Sequence, residues 1–162
     1  MSKEDTKLYL MGIFDGEGCI CPSFRKDGYI ALFVTVSMAS EDVIDLFCAT
    51  WGGSKGIREG QKKGYLRRYT WTMTGSTSIE FLQYVSEHSI VKVNQARYGL
   101  LLAQDLLRYR GNRIGINNHG GERLFTNEDY QYRKDLAIKI KSFNGARSRY
   151  ELPLKEGGYP IA

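Results

Sequence analysis

Apolar and polar residues alternate along residues 19–25, 29–37 and 64–74, and this period of two predicts strands with one buried face. Lys26-Asp27-Gly28 is a hairpin turn signal between the first two strands. Residues 54–59 are expected to pair with 64–74 as a second hairpin, closed by a basic loop. The alternation therefore predicts two hairpins. In the second strand one face carries Ile30, Leu32, Val34 and Val36, and the other carries Tyr29, Ala31, Phe33 and Thr35.

Helical spacing of apolar residues accounts for most of the remaining chain. It predicts helices over 6–15, from Ser40 to about Trp51, from Gly75, from about Val93 to Tyr109, and from Thr126 to about Phe143. The first helix is apolar nearly all round, which predicts burial on more than one side. Glycines in Asp15-Gly16-Glu17-Gly18 are expected to end it. Residues 111–121 are predicted to form a loop, and 145–162 a loosely held tail.

The order of these elements predicts an α+β fold, αββαββα with a further C-terminal helix. Two hairpins, each followed by a helix, favour one four-stranded antiparallel sheet with helices on one face. We expect residues 1–125 to form the core, and residues 126–162 to add a helix and a basic tail to the same single domain.

The second face of this sheet is predicted to be open and to carry polar and basic side chains. Its outward positions are Ser23, Arg25, Tyr29, Thr35, Arg58, Arg68, Thr70 and Thr72. A sheet face of this composition suits a reader of the DNA major groove. The ordinary alternative is a solvated face, which antiparallel sheets often have.

Net charge and cysteine content indicate the kind of binding partner and the cellular compartment. The formal net charge is +5 and the isoelectric point about 9.1, which suits a polyanionic partner. The three cysteines, Cys19, Cys21 and Cys48, are an odd number, which favours a reducing, intracellular compartment over a disulfide framework. Their spacing is not that of a zinc finger, so packing or groove lining is the favoured interpretation. No apolar run is long enough to predict a membrane span.

Two glycines of the first helix, Gly12 and Gly16, are four residues apart and so lie on one helix face. Small residues there allow a second helix to approach closely. Because no second copy of this segment occurs, the close helix must come from a second chain, as in a symmetric homodimer. Leu8, Met11 and Asp15 are expected to join the two glycines in that interface.

The nine residues from Leu10 to Gly18, LMGIFDGEG, resemble the LAGLIDADG signature of homing endonucleases. Their setting is also similar: a buried helix leads into a strand, within an αββαββα chain. The resemblance covers roughly residues 6–110. It implies a sequence-specific endonuclease that cuts both strands of a long pseudo-palindromic duplex, leaves 3′ overhangs and uses Mg²⁺ or Mn²⁺. It implies no small-molecule cofactor.

The resemblance also implies roles for individual residues. Glu17 matches the acidic residue that binds the metal ions, and the carbonyl group of Gly16 is expected to reach one of them. Lys92 matches a basic residue that acts on the phosphate or the attacking water, whereas Asp15 is expected to be structural. Relatives place a glutamine that organises water near the position that Met38 occupies here, and this departure leaves that group unidentified.

Contacts to DNA are expected beyond the open face. Lys26, Lys62, Lys63 and Arg67 fall at loop tips or beside phosphates, and Arg58 and Arg68 are the first candidates to read bases, followed by Arg25. The main alternative function is a non-catalytic DNA or RNA binder on the same fold, such as an intron maturase or a transcriptional regulator. That protein would not need Glu17. A plain structural interaction module would have to explain both the motif and the basic face.

Overall fold

The computed structural model describes residues 2–25, 29–59, 67–108 and 125–144. In chain order the elements are α1 (Lys3–Glu17), β1 (Gly18–Phe24), β2 (Ile30–Met38), α2 (Glu41–Trp51), β3 (Ser54–Arg58), β4 (Arg68–Thr74), a 3-10 turn (Gly75–Ser78), α3 (Ile79–His88), α4 (Val93–Arg108) and α5 (Asn127–Phe143). This is the predicted α+β arrangement. The predicted turn at 26–28, the basic loop at 61–63, the loop at 111–121 and the tail at 145–162 lie outside the described residues.

Helix α1 is longer than the sequence predicted, at both ends. It begins at Lys3 because Ser2 and Asp5 form a capping box, in which the Ser2 hydroxyl accepts the Asp5 N–H at 3.1 Å. The Asp5 carboxylate in turn accepts the Ser2 N–H at 3.1 Å. At the other end the helix continues through Gly16 and stops only at Gly18. The first of the two glycines is therefore helical, and only the second ends the helix.

The four strands form one antiparallel sheet, as the two hairpins predicted, and the structure gives their order as β1-β2-β4-β3. The apolar side chains of β2 and β4 alternate into the interior as expected, and Val34 and Trp71 are fully buried. Strand β4 begins at Arg68, later than the predicted start at residue 64. The helices pack against the buried face, and within the described ranges no helix covers the opposite face.

Aromatic rings fill the space between the sheet and the helices. The ring centroid of Trp71 lies 4.8 Å from that of Phe47 and 4.9 Å from that of Phe81. The Phe81 ring also meets Phe14 of α1 edge-on at 4.8 Å. The Trp71 indole N–H donates to the Gly52 carbonyl at 2.7 Å, which satisfies a polar group that burial would otherwise leave unpaired. Helix α1 is thereby fixed against the sheet along its Phe14 side.

The C-terminal helix α5 packs against α4 and against β1. Arg133 is fully buried and forms an ion pair with Asp105 of α4, and its guanidinium lies 4.4 Å from the centroid of the Phe125 ring. At the end of α5, the Asn144 side chain donates to the Ile20 carbonyl of β1 at 3.0 Å. None of the described helices has the length and apolar character to cross a membrane.

Candidate nucleic-acid interface and catalytic centre

The passage from α1 into β1 takes place at a single glycine. The Gly18 N–H donates to the Phe14 carbonyl and ends the helix, and the strand begins at the same residue. A Cβ atom on Gly18 would lie 2.2 Å from the Phe14 ring, so no larger residue fits. Glu17 is consequently held at the junction between α1, which is buried on one side only, and the edge strand of the sheet.

Glu17 is exposed, and its carboxylate makes no hydrogen bond or ion pair with the described residues. The negative end of the helix dipole disfavours an anion there, so the local structure gives this carboxylate no compensation. The neighbouring Gly16 carbonyl belongs to the last turn, where carbonyls have no partner within the helix. Within the described ranges, no group of three or more His, Cys, Asp and Glu side chains could hold a metal ion.

The Asp15 side chain turns away from the helix and contacts the loop before α4. It accepts hydrogen bonds from the Ser89 hydroxyl, from the Ile90 N–H at 2.9 Å and from the Val91 N–H at 3.4 Å. Partial burial works to raise the pKa of Asp15, but these hydrogen bonds and the nearby Lys92 ammonium outweigh it and hold that pKa below its ordinary value. The side chain assigned to a helix interface is thus engaged within its own chain.

Lys92 lies immediately before α4 and beside a cavity of about 280 Å³. The lining of that cavity is mainly polar: Gly18, Cys19, Val91, Lys92, Asn94, Gln95, Phe143 and Asn144. Gly18 and Cys19 directly follow Glu17, and Asp15 contacts the loop that ends at Lys92. The structure therefore brings the two predicted catalytic residues, Glu17 and Lys92, to the same end of the molecule.

One side of α1 is open. Leu8 and Tyr9 are 50% and 48% exposed, and Gly12 and Gly16 are exposed with nothing within 4 Å of an added Cβ atom. Met11, which the sequence analysis placed at the same interface, is only 3% exposed. It lies with Leu10 and Phe14 on the side of the helix that faces the core, so its side chain has little surface to offer a second chain.

The outward face of the sheet has the predicted polar composition. Cys19, Thr35 and Thr72 are neighbours across β1, β2 and β4, and Ser54 of β3 pairs with Thr72. The Ser37 and Thr70 hydroxyls are hydrogen-bonded across β2 and β4 at 2.9 Å. Ser23 and Thr70 are half-buried on this face, in keeping with their outward alternation. Hydroxyl groups therefore occupy the centre of the face and can donate or accept hydrogen bonds.

Arg58 and Arg68 are directly opposite each other in the β3–β4 pair, and both are exposed. Like charges in this arrangement repel and destabilise a strand pair. Neither guanidinium has an acidic partner among the described residues. A polyanion lying across the face would relieve this repulsion.

The remaining residues predicted to contact DNA differ in their surroundings. Arg67 forms an ion pair with Glu59 at 2.8 Å, so a phosphate would have to compete with that carboxylate. The Arg25 guanidinium lies 5.4 Å from the centroid of the Tyr29 ring, which places these two residues together near the β1–β2 turn. Lys26, Lys62 and Lys63 lie outside the described residues.

Met38 does not face the open side of the sheet. It ends β2 with the same alternation as Val34 and Val36 and packs against the core. The residue that presents its side chain on the open face at this end of β2 is Ser37, whose hydroxyl meets Thr70. The Met38 side chain is therefore on the wrong face to organise water at a site on the open side.

Sequence reasoning missed three residues of this region. Ser89 is 7% exposed and joins Asp15 to the start of α4, and only the spacing of three residues from Ser89 to Lys92 hinted at a cap. Phe33, 37% exposed, and Cys21 are paired across β1 and β2 on the open face. Their outward positions followed from the alternation, but their apolar character gave no functional signal.

The thiols of Cys19 and Cys21 interact on that face. The hydrogen bond between them is the main cause that lowers the pKa of Cys21 to about 6; burial opposes the shift and the Lys141 ammonium adds to it. The same hydrogen bond, followed by burial, raises the pKa of Cys19. Cys48 lies elsewhere, and burial raises its pKa. Cys21 is therefore the cysteine with most thiolate character at neutral pH.

Comparison with known structures identifies the fold. The homing endonuclease I-CvuI, in complex with the I-CreI target, matches at a TM-score of 0.66 and 16% identity, over 91% of this chain and 87% of that one. The archaeal intron-encoded homing endonuclease I-Vdi141I, complexed with DNA, matches at 0.66 and 16%, over 99% and 92%. The LAGLIDADG homing endonuclease I-SmaMI, bound to cleaved DNA, matches at 0.54 and 15%, over 80% of this chain and 42% of that one.

This chain has the fold of the LAGLIDADG homing endonucleases, as its motif indicated. No family model matches the sequence, and no curated protein matches it closely enough to count as a relative. The likeness therefore rests on three-dimensional structure and on the residues from Leu10 to Gly18, which occupy α1 and the first position of β1.

We predict that Cys21 is the most reactive thiol of the folded protein. Its alkylation by iodoacetamide should accelerate as the pH rises through about 6, because the thiolate reacts, and then level off. Mass spectrometry of labelled peptides at a series of pH values measures this for each cysteine. Cys48 serves as an internal comparison, and Cys19→Ala, which removes the hydrogen-bond donor, should move the Cys21 profile to higher pH. A Cys21 rate that keeps rising between pH 8 and 9, as for an ordinary thiol with a pKa of about 8.5, would contradict the prediction.

Proposed function

We propose that this chain is a sequence-specific DNA homing endonuclease that acts as a symmetric homodimer. It would bind a long pseudo-palindromic duplex and cut both strands with a divalent metal ion, leaving 3′ overhangs. The observation that carries the proposal is the position of Glu17. This unpaired carboxylate ends α1 at its junction with the sheet, directly before Gly18, which lines the same cavity as Lys92.

The open sheet face supplies the DNA contacts. Strands of this kind fit the major groove, where arginine donates two hydrogen bonds to guanine and hydroxyl groups contact several bases. Arg58 and Arg68 stand together at one end of the face, and Thr35, Thr70 and Thr72 occupy its centre. Homing endonucleases of the same fold, among them I-CvuI and I-Vdi141I, were solved as complexes with DNA, which supports assigning DNA to this face.

The open side of α1 supports the homodimer. Leu8 and Tyr9 expose apolar surface around Gly12 and Gly16, where a second helix backbone could approach closely. Exposed apolar side chains grouped on one helix face are typical of a protein interface. Pairing two α1 helices about a twofold axis would bring the two Glu17 residues close to each other.

Two carboxylates near one axis repel unless a cation lies between them. The Glu17 carboxylate and the Gly16 carbonyl offer exposed oxygen atoms, the ligand type that Mg²⁺ prefers, so the donor set fits a hard divalent ion. When bound, such an ion would supply positive charge to the scissile phosphate and acidify a water molecule. I-CvuI was crystallised with the uncleaved I-CreI target in Mg²⁺ and with its own target in Ca²⁺, and the presence of divalent ions in both complexes supports a divalent cofactor.

Lys92 has the second role in this proposal. Its ammonium lies near Asp15 and Cys19, on the cavity side of Glu17. A cation there can neutralise charge on a phosphate oxygen as the bond to the leaving oxygen breaks. Asn94, Gln95 and Asn144, which line the same cavity, can hydrogen-bond water or phosphate. Glu17 would therefore hold the metal ion while Lys92 stabilises the developing charge.

The Glu17→Gln variant should bind DNA with little change but lose cleavage. Gln keeps the size and one oxygen atom but removes the charge that a divalent ion requires. Losing about 4 kcal/mol of transition-state stabilisation corresponds to roughly a 10³-fold lower cleavage rate. The target would first be selected from a randomised duplex library cleaved in Mg²⁺, and affinity for it measured in Ca²⁺.

Glu80→Gln, at an exposed position in the first turn of α3, serves as a matched control, because it makes the same substitution at the end of α3 away from Ser89, the residue that contacts Asp15. A Glu17→Gln protein that cuts at the normal rate would refute the metal site. Specific retention of one duplex by the wild type, without cutting in Mg²⁺ or Mn²⁺, would instead identify a non-catalytic binder such as a maturase or regulator.

Gly12→Leu should yield a folded monomer. An added Cβ atom at Gly12 meets nothing within 4 Å in the chain, so the fold tolerates the side chain. Between two close helices the same side chain would clash. Sedimentation equilibrium should give a dimer for the wild type and a monomer for Gly12→Leu, with circular dichroism unchanged. Ala49→Leu, at an exposed position of α2, adds comparable bulk elsewhere and should remain dimeric. A dimeric Gly12→Leu protein would refute the α1 interface.

Arg68→Ala should relax specificity at one base position in each half-site. A bidentate contact from arginine to guanine discriminates by about 1–3 kcal/mol. Cleavage of target variants with each base substituted in turn measures this effect. Lys55→Ala removes the same charge from the helix side of the sheet, where Lys55 pairs with Glu41 and Asp45, and should leave the base preference intact. A uniform loss of affinity for all duplexes would instead mark Arg68 as a phosphate contact.

A further inference from the structure

The hydrogen bonds of Asp15 continue beyond the loop to Lys92. The Ser89 hydroxyl, which donates to the Asp15 carboxylate, also accepts the Lys92 N–H at 2.7 Å. The Lys92 carbonyl then accepts the Ala96 N–H at 2.8 Å, the first hydrogen bond of α4. An unbroken chain of hydrogen bonds therefore runs from the last turn of α1 to the first turn of α4.

These hydrogen bonds lie where a small movement of the loop would change the position of Lys92 relative to Glu17. Asp15 is two residues from Glu17 on the same rigid helix, and Lys92 is the residue at the far end. Ser89 is almost fully buried, whereas Ile90 and Val91 between it and Lys92 are strongly exposed. Apolar side chains in solvent do little to fix the backbone of this loop. The contacts of Asp15 and Ser89 are therefore the ones that hold it.

The position of Asp15 is also unfavourable without this partner. The negative end of a helix dipole repels a carboxylate, and the Ser89 hydroxyl and the Ile90 and Val91 amides offset that repulsion. A neutral residue would end the helix at lower electrostatic cost. The presence of an acidic residue at position 15 is therefore explained by its hydrogen bonds to the loop of residues 89–92.

We propose that Asp15 and Ser89 are positioning residues that fix Lys92 relative to Glu17 for cleavage. The inference deepens the proposed nuclease function and rests on it. Neither residue touches the DNA or the metal ion in this account; both act through the backbone of residues 89–92. Misplacing a catalytic group by about 1 Å can lower a rate by roughly 10²-fold.

A second link between α1 and α3 provides a matched control. At the other end of α1, the Tyr84 hydroxyl donates to the Glu4 carboxylate at 3.0 Å. Tyr84→Phe removes one hydrogen bond between the same two parts of the chain, remote from Lys92. If the Asp15 contacts merely stabilise the fold, Ser89→Ala and Tyr84→Phe should behave alike.

The experiment measures single-turnover cleavage in Mg²⁺ and DNA affinity in Ca²⁺, well below the melting temperature of each variant. Ser89→Ala should lower the cleavage rate by about 10- to 100-fold, with affinity within about twofold of the wild type. Tyr84→Phe should change neither quantity, and Ser89→Thr, which keeps the hydroxyl, should restore most of the rate. Equal rates for Ser89→Ala and Tyr84→Phe would overturn the proposal.

The double variant with Lys92→Ala tests whether Ser89 acts through Lys92. In the Lys92→Ala background, Ser89→Ala should cost little further rate, because the group that it positions is already gone. If the fold reductions in cleavage rate of the two single variants multiply in the double variant, the proposal is overturned, even if each single variant cuts slowly. The same cycle with Asp15→Asn in place of Ser89→Ala should give the same non-additive result.

Hydrogen exchange separates failure of this proposal from failure of the nuclease function. The Ile90 and Lys92 amides should be protected in the wild type and should lose protection in Asp15→Ala, whether or not the protein cuts DNA. Unprotected amides in the wild type would overturn the positioning role. A wild type that has protected amides but cuts no duplex would refute the nuclease, and with it the catalytic consequence drawn here.

Discussion

The direct passage from α1 to β1 at Gly18 is the constraint on which the rest of this structure depends. Because no loop separates them, the helix axis and the edge strand are fixed relative to each other. The backbone position of Glu17 is fixed with them. The Phe14 ring occupies the space that a side chain on Gly18 would need, and the same ring packs on Phe81 in the core. Core packing and the location of the candidate catalytic carboxylate are therefore settled by the same contact.

Much of the fold was predictable because its elements follow from local periodicity. The alternation in β2 and β4 identified which side chains face the core, and Ser40 and Thr126 marked the starts of α2 and α5. The errors concern helix ends, where competing local contacts decide. The Ser2 capping box was overlooked, so α1 was predicted to begin too late, and a glycine that remains helical was taken as a stop. Helix termini depend on single hydrogen bonds, which periodicity does not report.

The candidate site was predictable only where a motif or an alternation carried it. Glu17, Lys92 and the outward residues of the sheet came from such patterns, and the structure gathers them at one end and on one face. The partner of Asp15 could not be predicted, because Ser89 is distant in sequence and is brought near only by the packing of α3. The direction of the Met11 side chain was likewise unpredictable, since an apolar residue on a helix that is apolar nearly all round can face the core or a partner.

Three features of the chain are unfavourable while it stands alone, and each calls for a different partner. Leu8 and Tyr9 expose apolar surface around two glycines, Arg58 and Arg68 repel each other across a strand pair, and Glu17 ends a helix without compensation. A second helix would cover the apolar surface, a polyanion would offset the arginine repulsion, and a divalent cation would neutralise Glu17. In the proposed homodimer, helix pairing and cation binding are coupled, because pairing the α1 helices brings the two Glu17 charges together. A cation that offsets their repulsion must then strengthen the dimer by the same factor by which dimerisation strengthens cation binding.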